Sequence, residues 1–280
     1  MIFSISPVLP LLRAALSEAS IMAKASWRYA LAFIVAAAAG LVLRNAAGGG
    51  FGFVQIALIL PGMAAFCVWS YRAYQASGLG ATDAKLAAGS AKLALAYGLV
   101  AMALFLIAFM LGLFLIIFSV VLVIGSGYDP SQGGADDVSG SVQALRESGA
   151  IYLLYAMLFV AVIGFCSGLV RLAVFAPATV DAHQVKIFQT WPWTKHKILS
   201  LSPAVLLLQI IPICMAIYFG RELSMYGDQA ARAIGSGDAQ LGSFLIGFGA
   251  TAVQLCLWMP ALMLGHGLAA AIYKREAPIK

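Results

Sequence analysis

The chain has 280 residues, of which 62% are apolar and 10% charged, and its mean hydropathy is +0.96. Soluble domains contain roughly 45–50% apolar and about 25% charged residues, so this composition excludes an ordinary soluble domain and indicates an all-α integral membrane protein. The formal charge of +6 does not point to nucleic acid. The basic residues lie in short segments beside apolar stretches, where anionic lipid headgroups are the nearer partner.

Six apolar stretches are long enough to cross a bilayer, since about 20 helical residues span roughly 30 Å of hydrocarbon. In chain order they are residues 27–43, 53–71, 93–124, 150–176, 201–220 and 242–273. We therefore predict a single transmembrane domain, residues 1–280, with six spanning helices. The third and sixth stretches are longer than a crossing requires. Pro61, Pro212 and Pro260 are predicted kinks in the second, fifth and sixth spans.

The basic residues divide unequally between the two sides of this six-helix arrangement. Thirteen of the 17 fall on the side of the termini, and four fall on the other side: Arg44, Arg146, Arg221 and Arg232. Lys and Arg are retained on the cytoplasmic side during membrane insertion. We therefore predict cytoplasmic N- and C-termini and two external loops, residues 125–149 and 221–241.

A stretch of mixed polarity precedes the first, third and fifth predicted spans, at residues 6–26, 73–92 and 179–200. Amphipathic segments of this kind lie in the headgroup plane, with Trp at the acyl boundary and Lys toward the phosphates. We predict three transmembrane hairpins, each preceded by a cytoplasmic interfacial amphipathic helix. The residues predicted to contact anionic lipid are Arg171, Lys186, Trp191, Trp193, Lys195 and Lys197.

Residues 171–197 read RLAVFAPATVDAHQVKIFQTWPWTKHK, an apolar stretch ending in Arg, a small-residue and Pro segment, an Asp-containing turn and a close on Trp-x-x-Thr-Lys. This pattern resembles the bacterial six-helix membrane proteins of the YciC type, which are related to the membrane domain of some glycerophosphodiester phosphodiesterases. The start of the chain, Phe3-Ser4-Ile5 followed by Arg13, is similar to the start of such proteins. The resemblance implies a six-helix fold in the bacterial inner membrane and no particular activity.

Gln209 and Gln254 are the polar residues nearest the middle of the fifth and sixth predicted spans. Antiparallel neighbouring helices would bring them to similar depth, and a buried amide needs a partner. We therefore predict a mutual hydrogen bond contributing on the order of 1 kcal/mol, with substrate binding as the alternative. Gly164 and Gly168 form a GxxxG spacing in the fourth span, for which we predict close helix packing within the monomer.

No set of residues in the sequence has the spacing of a catalytic, metal or cofactor site. His266, between Gly265 and Gly267, has no carboxylate or second His beside it in the sequence, so we predict neither a proton relay nor a metal site. Asp181 and His183 would allow a hydrolase, but a helix N-terminus explains the acid more simply. Four cysteines stand alone in different spans and are predicted to act as small apolar residues: Cys67, Cys166, Cys214 and Cys256.

These features favour a non-catalytic scaffold or accessory subunit that binds lipids and protein partners, in a membrane-protein complex or as a homo-oligomer. Charge is missing from the middle of every predicted span, and charged residues there usually mark function. The alternative is a transporter or lipid-handling protein with a cavity between hairpins, since three spans carry Pro and two carry a central Gln. An ion-coupled carrier normally has an intramembrane acid, and the predicted spans contain none.

Overall fold

A computed structural model gives the fold of residues 8–47, 52–80, 85–128, 138–194, 197–236 and 241–277, and these are the described residues below. Their α-helices are α1 (Val8–Ala46), α2 (Phe53–Ala76), α3 (Leu86–Gly125), α4 (Val138–Glu147), α5 (Ala150–Leu172), α6 (Phe175–Ala182), α7 (Trp191–Thr194), α8 (Ile198–Val205), α9 (Ile211–Gly235) and α10 (Leu241–Glu276). Six helical stretches are long and apolar enough to cross a membrane, and each contains one predicted span. The prediction of an all-α protein with six such helices is confirmed.

The first predicted interfacial segment is not a separate helix. Residues 8–26 continue into the predicted span as the single helix α1, which has 39 residues and is about 58 Å long. No Gly or Pro stands between Pro10 and Gly40, and Ala is frequent, so nothing in this stretch ends a helix. The change from mixed polarity to apolar residues along α1 therefore does not mark a helix boundary, because one helix runs through both parts.

The second and third predicted interfacial segments are divided between several helices. Residues 73–92 include the end of α2 and the start of α3. Between them, Gly78 and Gly80 have φ angles of 79° and 80°, which Gly adopts without strain. Residues 179–200 include the end of α6, a 3₁₀ turn at Phe188–Thr190, all of α7 and the start of α8. The placement of these segments at a membrane surface stays a prediction.

The described helices form two compact units, of which the first is Met1–Gly98 with Val170–Lys280. Small residues let its helices approach closely, and the order of the contacts gives their direction. The contacting pairs are Gly40–Leu58 and Glu18–Ser77 for α1 and α2, Val42–Gly247 and Ala19–Gly267 for α1 and α10, and Gly227–Thr251 and Gly220–Gln254 for α9 and α10. Numbers rise on one helix as they fall on its neighbour, so each of these pairs of helices is antiparallel.

The most continuously buried part of the first unit lies at one end of its helices. We call this the basic end: it is where α1 and α3 begin and where α2 and α10 end, and it carries Arg13, Lys24, Arg72, Lys85, Lys92, Lys274 and Arg275. In α10, burial is nearly continuous only from His266 to Tyr273. Large, fully buried side chains at this end are Met22, Trp69, Tyr71, Tyr74, Leu93, Leu268 and Ile272. The basic end is therefore held together by contacts within the protein itself.

The second unit, Leu99–Leu169, exposes apolar side chains on its helices. None of the most apolar stretch of α3 is buried. Large exposed residues of this unit include Phe105, Phe109, Met110, Ile116, Ile124, Phe159, Val160 and Ile163. Soluble proteins rarely expose an apolar surface of this size. These helices are therefore suited to a lipid environment or to contact with other membrane helices.

Pro212 accounts for an irregular turn between α8 and α9. The chain passes through Leu206–Ile210 as a π-turn. Proline has no N–H to bond the carbonyl four residues earlier, and in a regular α-helix its ring clashes with that carbonyl, so a wider turn relieves both problems. Pro61 and Pro260 lie inside α2 and α10, which continue through them. Gln209 lies within the π-turn, and such turns are frequent at functional sites.

Candidate functional site

Three successive residues of α10 point at three different neighbours, because adjacent positions on a helix are about 100° apart. At Gly265, an added Cβ would lie 3.7 Å from the side-chain nitrogen of Gln209, in the π-turn. At Gly267, an added Cβ would overlap α1, and the carbonyl oxygen of Ala15 would be its nearest atom. His266 between them faces α2 and α3. The Gly-His-Gly segment is thus the point where α10 meets α1, α2, α3 and the π-turn.

The His266 ring belongs to a chain of hydrogen bonds that joins three helices. Its Nε2 lies 2.7 Å from Ser70 Oγ on α2, which lies 2.7 Å from the hydroxyl of Tyr97 on α3. Its Nδ1 lies 2.7 Å from the carbonyl oxygen of Leu262. A carbonyl only accepts, so Nδ1 donates and the neutral ring accepts at Nε2. Ser70 then donates to His266, and Tyr97 donates to Ser70.

Aromatic rings enclose this chain of hydrogen bonds. The ring centroids of Trp69 and Tyr74 each lie 5.1 Å from that of His266, and Phe66 lies 6.1 Å away. Ser70 is 0% exposed and His266 is 6% exposed. Without bulk water to replace a missing partner, each of these polar groups depends on the others.

A second chain of hydrogen bonds fastens α2 to α1. Trp69 donates its indole N–H to Ser26 Oγ at 3.1 Å, and Ser26 donates to the carbonyl oxygen of Met22 at 2.7 Å. The Trp69 ring also stacks on Phe33, with a centroid distance of 5.7 Å. Successive side chains of α2, Trp69 and Ser70, therefore reach α1 on one side and α3 with α10 on the other.

The Ser70–His266 pair has the hydrogen bond of a nucleophile and its general base. Its surroundings do not suit catalysis. Ser70 is enclosed, and a backbone carbonyl rather than a carboxylate orients the histidine. His266 stands out in the sequence, but its partners Ser70 and Tyr97 do not, and they lie 196 and 169 residues away along the chain. No local spacing could have shown these partners.

Ionic and polar contacts fix the end of α10 to α1 and α6. Lys274 Nζ lies 2.6 Å from a carboxylate oxygen of Glu18 on α1, and Ser77, just after α2, donates to the other oxygen at 2.6 Å. Tyr273 donates its hydroxyl to Asp181 on α6 at 2.7 Å. Asp181, which sequence analysis interpreted as an acid at a helix N-terminus, instead lies near the C-terminal end of α6.

Of the predicted lipid-contacting residues, the structure brings Arg171 and Trp191 together. The guanidinium carbon of Arg171 lies 4.7 Å from the centroid of the Trp191 ring. Trp193 instead packs against Tyr273, with a centroid distance of 5.8 Å. Lys186 lies between α6 and α7, and its backbone N–H donates to the Thr179 hydroxyl at 3.2 Å.

The two remaining members of that predicted set are both lysines. Lys197 forms an ion pair with Glu276, which also accepts a hydrogen bond from Arg275 at 2.7 Å. This pair joins the start of α8 to the end of α10. Lys195 lies outside the described residues.

The structure does not bring Gln209 and Gln254 together. Gln209 lies against Gly265, whereas Gln254 lies against Gly220, where an added Cβ would be 3.2 Å from its side chain. The two contact points are 11 residues apart on α10, which is about 16 Å of helix. The Gln209 amide packs against α10 and the Gln254 amide packs against α9. The predicted hydrogen bond between the two does not form.

The GxxxG spacing of α5 does not coincide with a close helix contact. Among the described residues, no atom of a neighbouring element lies within 4 Å of a Cβ built at Gly164, and only the side chain of Ile107 comes near Gly168, at 3.7 Å. The tight approaches lie at other glycines, among them Gly62, where a Cβ would be 2.8 Å from the Cα of Ala37. Among the described residues, no group of three His, Cys, Asp or Glu side chains is placed to hold a metal ion.

Comparison with known proteins found no match to a protein-family model, a curated protein sequence or a solved structure. The resemblance of residues 171–197 to YciC-type proteins therefore stays a prediction.

Proposed function

We propose that this chain is a non-catalytic scaffold or accessory subunit of a bacterial inner membrane, which binds anionic lipids and membrane-protein partners. One observation supports this proposal above the others: the polar side chains Ser70, Tyr97 and His266, of which Ser70 and His266 are buried, hold three helices together. Ion pairs at the basic end serve the same purpose, since they tie α10 to α1 and α8. The polar side chains of this end thus serve to hold helices in fixed positions, as expected of a scaffold.

The outer face of α1 supports a role in lipid binding. Lys24 and Arg28 are exposed there beside apolar side chains, among them Ile21 and Trp27, which is 56% exposed. The Arg28 guanidinium lies 5.5 Å from the Trp27 ring. Basic residues interleaved with Trp are typical of the headgroup region of a membrane.

Protein partners would bind along the apolar sides of the second unit. The α3 and α5 residues of that unit expose large apolar side chains, and neighbouring helices of a complex could cover them as well as lipid does. Small residues such as Gly164, with open space beside its Cα, allow a partner helix to approach closely.

Charge reversal on α1 should weaken binding of anionic lipid. We expect Lys24→Glu with Arg28→Glu to lower the affinity for phosphatidylglycerol at least about tenfold, because each basic residue near an anionic headgroup contributes about 1 kcal/mol. Phosphatidylcholine binding should not change. Native mass spectrometry of purified protein titrated with each lipid measures both affinities. The matched control is Arg221→Glu with Arg232→Glu on α9, and equal losses in the two variants would contradict the proposed role of this surface.

The predicted orientation can be tested by labelling single cysteines in a Cys-free background. A cysteine replacing Gln132 should react with an impermeant thiol reagent added outside intact cells. A cysteine replacing Gln184, which is exposed beyond α6, should react only after permeabilisation. The reverse pattern would overturn the cytoplasmic location of the termini.

A transporter or lipid-handling protein is the second candidate, and the π-turn at Leu206–Ile210 favours it. Broken or irregular helices near the middle of a membrane often line a substrate path. The labelling series separates the candidates at Gln209. A cysteine there should stay unlabelled by a small polar thiol reagent in a scaffold, whereas a hydrated path would make it reactive from one side.

A further inference from the structure

Four buried side-chain atoms in the described part of the chain have no hydrogen-bond partner: Tyr71 Oη, Arg72 Nε, Arg171 Nε and Thr194 Oγ1. Two of them belong to arginines at the ends of α2 and α5. Buried polar atoms without a partner are rare in proteins. For a guanidinium, the partner that offers most is an anion.

Of these four residues, Arg171 stands out, because an aromatic ring holds its guanidinium. It lies in the last turn of α5, and its guanidinium carbon is 4.7 Å from the Trp191 ring centroid. No carboxylate of the described residues forms an ion pair with it. The Arg171 Nε is covered by the protein. Contact with an aromatic ring fixes the plane of the guanidinium and leaves its two terminal nitrogens for parallel N–H···O bonds to phosphate or carboxylate oxygens.

A second unpartnered donor lies on the same face of α7 as the Trp191 ring. Thr194 is three residues after Trp191, one helical turn, and residues at this spacing are neighbours on a helix surface. Its residue is 0% exposed and its hydroxyl has no partner. The Thr194 hydroxyl is enclosed, whereas Arg171 is only partly buried, so Arg171 is the donor that a ligand can reach.

The position of Arg171 indicates where its anion comes from. It lies 21 residues after Ala150, where an apolar helical stretch long enough to cross a membrane begins. About 20 helical residues span the hydrocarbon, so the Arg171 side chain reaches the depth of lipid phosphates. Phe188, in the 3₁₀ turn before α7, is 66% exposed, and an exposed ring beside a membrane end inserts among acyl chains. An anion reached from this surface is the headgroup of a lipid.

We propose that Arg171, held by Trp191, is a binding site for the phosphate of an anionic phospholipid headgroup. The inference rests on the proposed function, since it requires the basic end of the protein to face an anionic leaflet. It adds a defined site to the general attraction of the basic residues. Arg171 supplies the paired N–H donors, and Trp191 fixes their direction.

Native mass spectrometry of the full chain, titrated with phosphatidylglycerol, tests the site. Arg171→Gln should lower phosphatidylglycerol affinity about fivefold and leave phosphatidylcholine unchanged, the effect expected of one basic residue at a headgroup. Arg171→Lys should recover only part of the lost affinity, because Lys restores the positive charge but not the planar pair of N–H donors. Arg232→Gln on α9 is the matched control, and Trp191→Leu reports on the site if the Arg171 variants do not fold.

A competition arm separates lipid from free phosphate. Inorganic phosphate should not displace phosphatidylglycerol from the site. Displacement by inorganic phosphate, equally effective in wild type and in Arg232→Gln but lost in Arg171→Gln, would overturn the assignment to a lipid headgroup.

The site and the proposed function fail in different ways. If Arg171→Gln binds phosphatidylglycerol as the wild type does while the Lys24 and Arg28 variant loses it, the site is wrong and the proposed lipid-binding role stands. If neither variant loses phosphatidylglycerol, the lipid-binding role fails as well. Loss in Arg171→Gln without loss in Arg232→Gln supports the site.

Discussion

Gly267→Ala is expected to cause one of the largest losses of stability of any single substitution in this chain. A Cβ at this position would meet the carbonyl oxygen of Ala15 and lie 2.8 Å from both the backbone nitrogen and the Cβ of Ala19. These are backbone or rigidly attached atoms, so α1 and α10 would have to separate. Overpacking of this kind costs about 1–3 kcal/mol or more, which exceeds the roughly 1 kcal/mol that Ala gains over Gly in a helix.

Thermal unfolding in detergent, followed by intrinsic tryptophan fluorescence, measures the effect. Gly249→Ala is the matched control, since it lies on the same helix and no neighbouring atom comes within 4 Å of the new Cβ. The control should unfold at the wild-type temperature or slightly above it. Equal midpoints for the two variants would mean that α1 and α10 are not packed as described.

Hydropathy was sufficient to predict the six long helices, because each prediction averages about 20 residues and tolerates errors at either end. It was not sufficient to predict where a helix begins. The change from polar to apolar residues near Trp27 suggested a boundary, but α1 continues from Val8 to Ala46. A boundary needs a residue that ends a helix, and residues 11–39 contain no Gly or Pro.

The predicted pairing of Gln209 with Gln254 failed because hydropathy does not determine the register between neighbouring helices. The two residues lie near the middle of their predicted spans, which placed them at equal depth. In the structure, α9 and α10 are aligned by small residues near their connection, where Ala230 contacts Gly247. That register sets Gln254 against Gly220 and leaves Gln209 against Gly265.

The polar centre of the basic end could be seen only in part from the sequence. His266 was noticeable as a histidine between two glycines in an apolar helix. Its partners Ser70 and Tyr97 are an ordinary Ser and Tyr in two other apolar stretches. Their convergence depends on how α2, α3 and α10 pack, which no local pattern records.

Removing one member of the His266 hydrogen-bond chain should cost more than the bond itself contributes. In Ser70→Ala, His266 Nε2 loses its donor at 2.7 Å and keeps only the Tyr97 hydroxyl at 3.5 Å, and that hydroxyl loses its acceptor at 2.7 Å. In His266→Leu, the Ser70 hydroxyl loses its acceptor. An enclosed polar group without a partner costs about 1–3 kcal/mol, so each variant should unfold at a clearly lower temperature than the wild type.

Ser119→Ala is the control for these variants, because Ser119 bonds only to the carbonyl oxygen of Leu115 in its own helix, at 2.6 Å. It should change stability by no more than about 0.5 kcal/mol.

The double variant, Ser70→Ala with His266→Leu, decides whether the pair is structural or reactive. If the two groups satisfy each other inside an enclosed site, the second substitution removes the group that the first left unpaired. The combined loss should then be smaller than the sum of the single losses, by about 1 kcal/mol. Strict additivity would mean that water satisfies each group alone. In that case Ser70 would have the solvent access that a nucleophile activated by His266 needs, and the proposal of a non-catalytic scaffold would give way to a search for a substrate.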